Sequence, residues 1–116
     1  MKIKKSVYAT CQVEGFHSWP EAPQFTSYLR SVHRHMFHIK LIVGVDGENR
    51  EIEFISLKNW LTGITNEILN EPSNKSCEMI AKEIIDKVME NLGHNRTYTC
   101  EVSEDGENGA VVEVNQ

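Results

Sequence analysis

Nowhere in this chain do apolar residues run on for the roughly 20 positions that a membrane-spanning helix needs. The start, MKIKKSVYAT, is basic but lacks the apolar stretch and small-residue cleavage site of a secretion signal, so the expected location is cytoplasmic. Cysteine is scarce as well: Cys11, Cys77 and Cys100 are odd in number and none belongs to a CxxC pair. That argues against a disulfide framework or a cysteine-based zinc site, and the three are expected to be reduced thiols in packed positions. An excess of basic charge is missing too, since 12 Lys and Arg face 17 Asp and Glu for a formal net charge of −5. Wide nonspecific binding to nucleic acid is thereby disfavoured. Arg30, Arg34 and Lys40 nonetheless gather around the histidines, which keeps a small anionic ligand open.

What is there is the composition of an ordinary globular protein: 116 residues, 40% hydrophobic and 25% charged. The length suits one domain, residues 1–116, with one core. In SVYATCQVE, residues 6–14, Val7, Ala9, Cys11 and Val13 share one parity, which predicts a half-buried strand. Gly15, Pro20 and Pro23 then break regular structure, and an irregular, aromatic-rich loop is expected to about Arg30. From His33 to Val45 the residues His33, His35, Phe37, Ile39, Leu41 and Val43 line one face of a second strand. Asp46-Gly47-Glu48-Asn49 supplies turn chemistry, and REIEFI predicts a third strand that closes a hairpin.

Ser56 is placed to cap a helix whose stripe is Leu57, Trp60, Leu61, Ile64, Ile68 and Leu69. A second helix is predicted from Ser76 to Leu92, with Gly93 to end it. TYTCEVSE and AVVEV read as two last strands around a turn at 105–109. Strands grouped before and after a helical pair define an α+β layer: an antiparallel sheet with both helices packed on one face. Its uncovered edges would need partners.

The chemistry lies in the histidines. Two positions apart on a strand, His33 and His35 project to the same side and can converge on one ion, with His17 arriving from the preceding loop. Zinc held by three imidazoles, with nitrogens at about 2.0–2.1 Å, keeps a fourth position for water or substrate. On spacing alone, a structural or solvent-facing pair fits HxH as well as a ligand pair does. His38 has the opposite parity, and His94, after the helix-ending Gly93, suits capping of carbonyls better than metal binding.

Five segments in order, VEGFHSWPEAP, HRHMFHIKL, IEFISLK, SCEMIAKEI and EVSEDGENG, resemble the 6-pyruvoyl-tetrahydropterin synthases and the bacterial 6-carboxytetrahydropterin synthases over most of the chain. The resemblance implies the tunnelling fold, in which subunits join their sheets into a barrel and form sites between subunits. It implies His17, His33 and His35 as Zn2+ ligands and Glu104 as the acid that anchors a pterin ring. A carboxylate there would accept the paired N–H donors of a 2-amino-4-oxo ring, an edge that guanine shares. Glu78 matches a glutamate at the start of the family's helix; its plainer role is a carboxylate near a helix N-terminus.

The departures from the family pattern bear on activity. Where the family has a cysteine base four residues before the paired histidines, this chain has Leu29, and NEILNEPSNK lacks the family's Asp-His pair. Tyr28 is the nearest titratable replacement, but its ordinary pKa of about 10 makes it a poor base near neutrality. Two kinds of function follow. One is a zinc-dependent lyase or hydrolase on a pterin or purine substrate, with its proton-transfer group unassigned. The other is a non-catalytic module that sequesters a guanine-containing nucleotide, with Arg30 and Arg34 on the phosphates.

Overall fold

The computed structural model of the chain describes residues 2–115. Its element order is β1 (Lys5–His17), a 3₁₀ segment (Gln24–Arg30), β2 (His33–Val45), α1 (Phe54–Ile68), α2 (Cys77–Leu92), β3 (Tyr98–Glu104) and β4 (Asn108–Val114). The strands form one four-stranded sheet in the order β1-β2-β3-β4, every neighbour antiparallel. The fold is therefore α+β. No helix among the described residues is long and apolar enough to cross a membrane.

Alternation along each strand decides which face is covered. Cys11, Ile39, Cys100 and Val112 stand side by side across the sheet or one register step apart, and the first three are buried. Both helices lie in the β2-to-β3 connection and cover this face, α1 through Leu57, Leu61, Ile64 and Ile68, and α2 through Ile80, Ala81, Ile84, Ile85 and Val88. Burying each aliphatic side chain contributes about 1.5–3 kcal/mol against chain entropy. Because Ile84 is wholly enclosed, Ile84→Val leaves a methyl-sized void, and urea unfolding should report a loss of about 0.5–1.5 kcal/mol with an unchanged m value. A neutral result would mean that α2 does not seat on the sheet.

REIEFI does not form the expected strand and closes no hairpin. The chain bends at 51–52 and α1 begins at Phe54, because Glu53 takes the N-cap position and its carboxylate accepts from the Ile55 and Ser56 amides at 2.8 and 3.0 Å. The cap thus lies at Glu53 and not Ser56, whose hydroxyl donates to the same carboxylate. Glu51 holds the preceding turn by accepting from the Asp46 and Gly47 amides, and it pairs with Arg96. These contacts hold both carboxyls below the usual carboxylate range, the Arg96 hydrogen bond leading for Glu51 and the Ile55 amide for Glu53. Phe54, which a strand would have aligned with Ile52, ends up exposed.

The loop after β1 is also more ordered than its composition suggests. Residues Gln24–Arg30 form 3₁₀ turns kinked at Thr26, tied back by Trp19 N–H to the Leu29 carbonyl at 2.7 Å and by Arg30 Nε to the Ala22 carbonyl at 2.8 Å. On the far side, residue 73 bridges to His17, with the Ser18 amide donating to the Ser73 carbonyl at 3.0 Å and the Ser73 amide to the Phe16 carbonyl at 3.2 Å. The stretch leading into α2 is thereby docked on the end of β1.

Candidate metal centre and adjoining cleft

At one end of the covered face the hydrophobic stripe gives way to imidazoles. His17, the last residue of β1, stands directly opposite His33, the first of β2, and His35 is the next inward residue along β2. Ring centroids lie 4.6 Å apart for His17 and His33, 5.1 Å for His17 and His35, and 4.9 Å for His33 and His35. The rings meet edge to face, and one nitrogen from each lies within 4.8 Å of the others. Three histidines are thus close enough to hold one metal ion. The sequence placed His17 in a loop; it is instead in the ladder, which fixes it to His33 by strand register.

Phe37 forms the floor of this cluster, edge-on to His17 at 5.4 Å and to His35 at 6.0 Å. Its ring reaches that position only because residue 15 is glycine: a Cβ there would come within 2.9 Å of the Phe37 ring. The histidines therefore rest on an apolar base, while their other edges are held by polar contacts.

Each imidazole has its Nδ1 engaged. His17 Nδ1 donates to the Lys75 carbonyl at 3.2 Å, His33 Nδ1 to the Ser31 carbonyl at 2.8 Å, and His35 Nδ1 to Asp105 Oδ2 at 2.7 Å. A carbonyl or carboxylate accepts only, so each Nδ1 carries hydrogen, and Nε2 is the nitrogen that a metal would take. Metal-binding histidines are oriented and made more basic in this way. Asp105 is itself fixed: its Oδ1 accepts from the Met36 amide at 2.9 Å and its own amide donates to the Met36 carbonyl at 2.7 Å. Donation from His35, then from the Met36 amide, holds its carboxyl below the ordinary range. Asp105 and Gly106 both have positive φ, 59° and 73°, and the Glu107 amide bonds the Glu104 carbonyl, the pattern of a type I′ turn.

The fit to a metal is tested by His35 Nε2. It is buried and has no hydrogen-bond partner among the described residues. A buried polar nitrogen left unpaired costs about 1–3 kcal/mol, and an ion bound there removes that cost. Three neutral imidazoles suit zinc, copper, iron or nickel.

Beside the cluster opens a cleft of about 470 Å³, lined among others by His17, His33, Trp19, Leu29, Cys77 and Glu104. That volume is in the range of small-molecule sites. Glu104 ends the inward stripe of β3, with Oε2 2.9 Å from His17 Nε2 and Oε1 3.6 Å from His35 Nε2. Glu78 lines the same cleft. Burial, with the Glu104 and Glu78 carboxylates next in weight, pushes the Cys77 thiol up to about 11. It is therefore protonated near neutrality. Burial also raises the Cys11 thiol, and drives Cys100 to about 12; all three cysteines are free and buried.

His17, His33, His35 and Glu104 are brought together. Arg30 and Arg34 are not. As the residue between two inward histidines, Arg34 must face outward, where its Nε pairs with Glu14 Oε2 at 2.5 Å, and Arg30 spends its Nε on the Ala22 carbonyl. Neither lines the cleft. The HRH alternation already contained the Arg34 result. By contrast, Asp105 and the Cys77 side of the cleft depend on how the helices and the β3–β4 turn close over β2, for which no local pattern exists. Tyr28 is exposed and also absent from the lining.

Compared with protein-family models and with curated proteins, the chain matches none. Fold and site together define an α+β protein with a three-histidine centre, at the mouth of a cleft, that is able to hold a metal ion.

Proposed function

We propose that this chain is a zinc-binding protein of the 6-pyruvoyl/6-carboxytetrahydropterin synthase type, taking a pterin- or guanine-type ring in the cleft beside His17 and His33. The observation that carries the reading is the shared arrangement of three imidazoles, each with Nδ1 held by an acceptor and one nitrogen within 4.8 Å of the others. The five ordered segments of resemblance supply the ligand class. When bound, zinc supplies a Lewis acid that polarises a ligand oxygen. Glu104, the carboxylate at the cleft, accepts the paired donors of the ring. Trp19, on the same lining, offers an indole surface for a planar ligand.

The parent reaction is altered or lost on this reading. Leu29 stands in the lining where a base is needed, and an apolar side chain moves no proton. Cys77, the nearest thiol, is held protonated. These two observations favour the second reading: a module that sequesters a guanine-containing nucleotide. Turnover, if present, would be that of a zinc-dependent lyase or hydrolase. Edge strands β1 and β4 carry unpaired backbone groups, and joining edges between copies into a tunnelling-fold barrel would satisfy them.

Metal analysis with native mass spectrometry on freshly purified protein tests the reading. About one zinc per chain in a closed ring of subunits is expected, and added pterin should raise the mass by one ligand per chain. A metal-free monomer that ignores pterin and guanosine nucleotides would sink it.

A further inference from the structure

Glu104 touches the same nitrogens that a metal would use. Its Oε2 lies 2.9 Å from His17 Nε2 and its Oε1 3.6 Å from His35 Nε2. In a tetrahedral centre with bonds of about 2.0 Å, adjacent donor atoms are about 3.3 Å apart, and the two distances bracket that edge. The hydrogen bonds of these rings at Nδ1 are to groups that only accept: the Lys75 carbonyl for His17, Asp105 for His35. Among the described residues His35 Nε2 has no hydrogen-bond partner. Register explains the placement. Glu104 pairs with Phe37 across β2 and β3, Phe37 follows His35 on the inward stripe of β2 and Glu104 ends that of β3, so the carboxylate emerges beside the histidines and not over the outer face of the sheet.

From this geometry we infer that Glu104 is itself a metal ligand: with the cleft empty, its carboxylate fills the fourth position and closes a three-histidine, one-carboxylate site. The inference rests on the zinc reading above and deepens it, because one carboxylate then serves two partners in turn. Without metal, the Glu104 carboxylate is the partner of His17 Nε2, and the Lys75 carbonyl that of its Nδ1. With a metal bound, His17 Nε2 and Glu104 would both be its ligands instead of partners to each other. A ring carrying paired N–H donors would compete for the carboxylate, so the fourth position would be open only when the cleft is filled. The ligand thereby controls access to the Lewis acid.

The test uses the full chain, first with metal alone and then with free pterin added. Zinc affinity is measured by chelator competition for the wild type, Glu104→Gln and His33→Ala, and cobalt is substituted to read coordination from its visible spectrum. Glu104→Gln should weaken zinc binding at least about tenfold and change the cobalt spectrum. A water-relaxation measurement on the cobalt wild type needs no variant, and it should find no exchangeable water on the metal. Free pterin should then shift the wild-type cobalt spectrum toward that of Glu104→Gln. Equal affinities and identical spectra for wild type and Glu104→Gln, or a metal-bound water in the wild type, overturn the inference. Should His33→Ala bind zinc as tightly as wild type, the three-histidine reading itself fails; should only His33→Ala weaken binding, that reading stands and the role of Glu104 falls.

Discussion

Replacing His33 with alanine should strip the metal from the protein while leaving it folded. A four-ligand zinc site binds with about 10–16 kcal/mol, so one ligand is worth roughly 2.5–4 kcal/mol, or about a hundredfold to a thousandfold in affinity. Folding should survive because His33 lies at the very start of β2, half-buried, outside the hydrophobic cluster that joins the sheet to α1 and α2. Zinc content and the far-ultraviolet circular dichroism of the same sample decide the matter. Loss of metal with an unchanged spectrum is the expected result. Unfolding on loss of zinc would make the centre structural, and full metal content would remove His33 from it.

Asp105→Asn should also lose metal affinity, by about 10–100-fold, although residue 105 reaches the ion only through His35. Asp105 presents one carboxylate oxygen to the Met36 amide and the other to His35 Nδ1. Asparagine has a single oxygen. If it keeps the Met36 contact, its NH₂ faces His35 and forces Nδ1 to accept, which moves the ring hydrogen to Nε2 and blocks the metal. Rotating the amide restores His35 but sets two donors against each other at Met36. Asparagine also tolerates the positive φ of residue 105, so the turn is kept. Chelator competition measures the loss, and nitrogen-15 chemical shifts of His35 report the tautomer. Unchanged affinity with an unchanged tautomer would show that Asp105 only closes the turn.

Much of this architecture was legible in the sequence, and the exceptions have physical reasons. Strands β1 and β2 announced themselves because Val7 to Val13 and His33 to Val43 keep strict alternation over a half-buried face. Helix α2 was bounded by a serine whose hydroxyl accepts from the Met79 amide at 3.2 Å and by Gly93 at φ 98°. The start of α1 was misread because Ile52 and Phe54 alternate, yet two residues of alternation are weaker than a glutamate cap followed by a longer helical stripe. His33 and His35 were assigned to one face from parity alone, and the same rule, applied to Arg34, would have turned it away from the cleft. His17 was expected to arrive from a loop, and Glu104 came from resemblance. Their proximity depends on pairings between β1 and β2 and between β2 and β3, which no local window contains.

The register of β1 against β2 carries a further consequence. His17 faces His33 because the two strands pair without offset over 13 residues each. A slip of one residue on β2 would exchange its two faces, sending His33 and His35 outward and bringing Arg34 and Met36 in. The groups that hold the rings lie 2, 58 and 70 residues away along the chain, at Ser31, Lys75 and Asp105. A misaligned sheet, an undocked α2 or an unformed β3–β4 turn would each leave an imidazole unheld. An ion at a hundred times its dissociation constant adds about 2.7 kcal/mol to whichever state binds it. That increment would go only to the chain with its strands in native pairing, so a bound ion would proofread the fold.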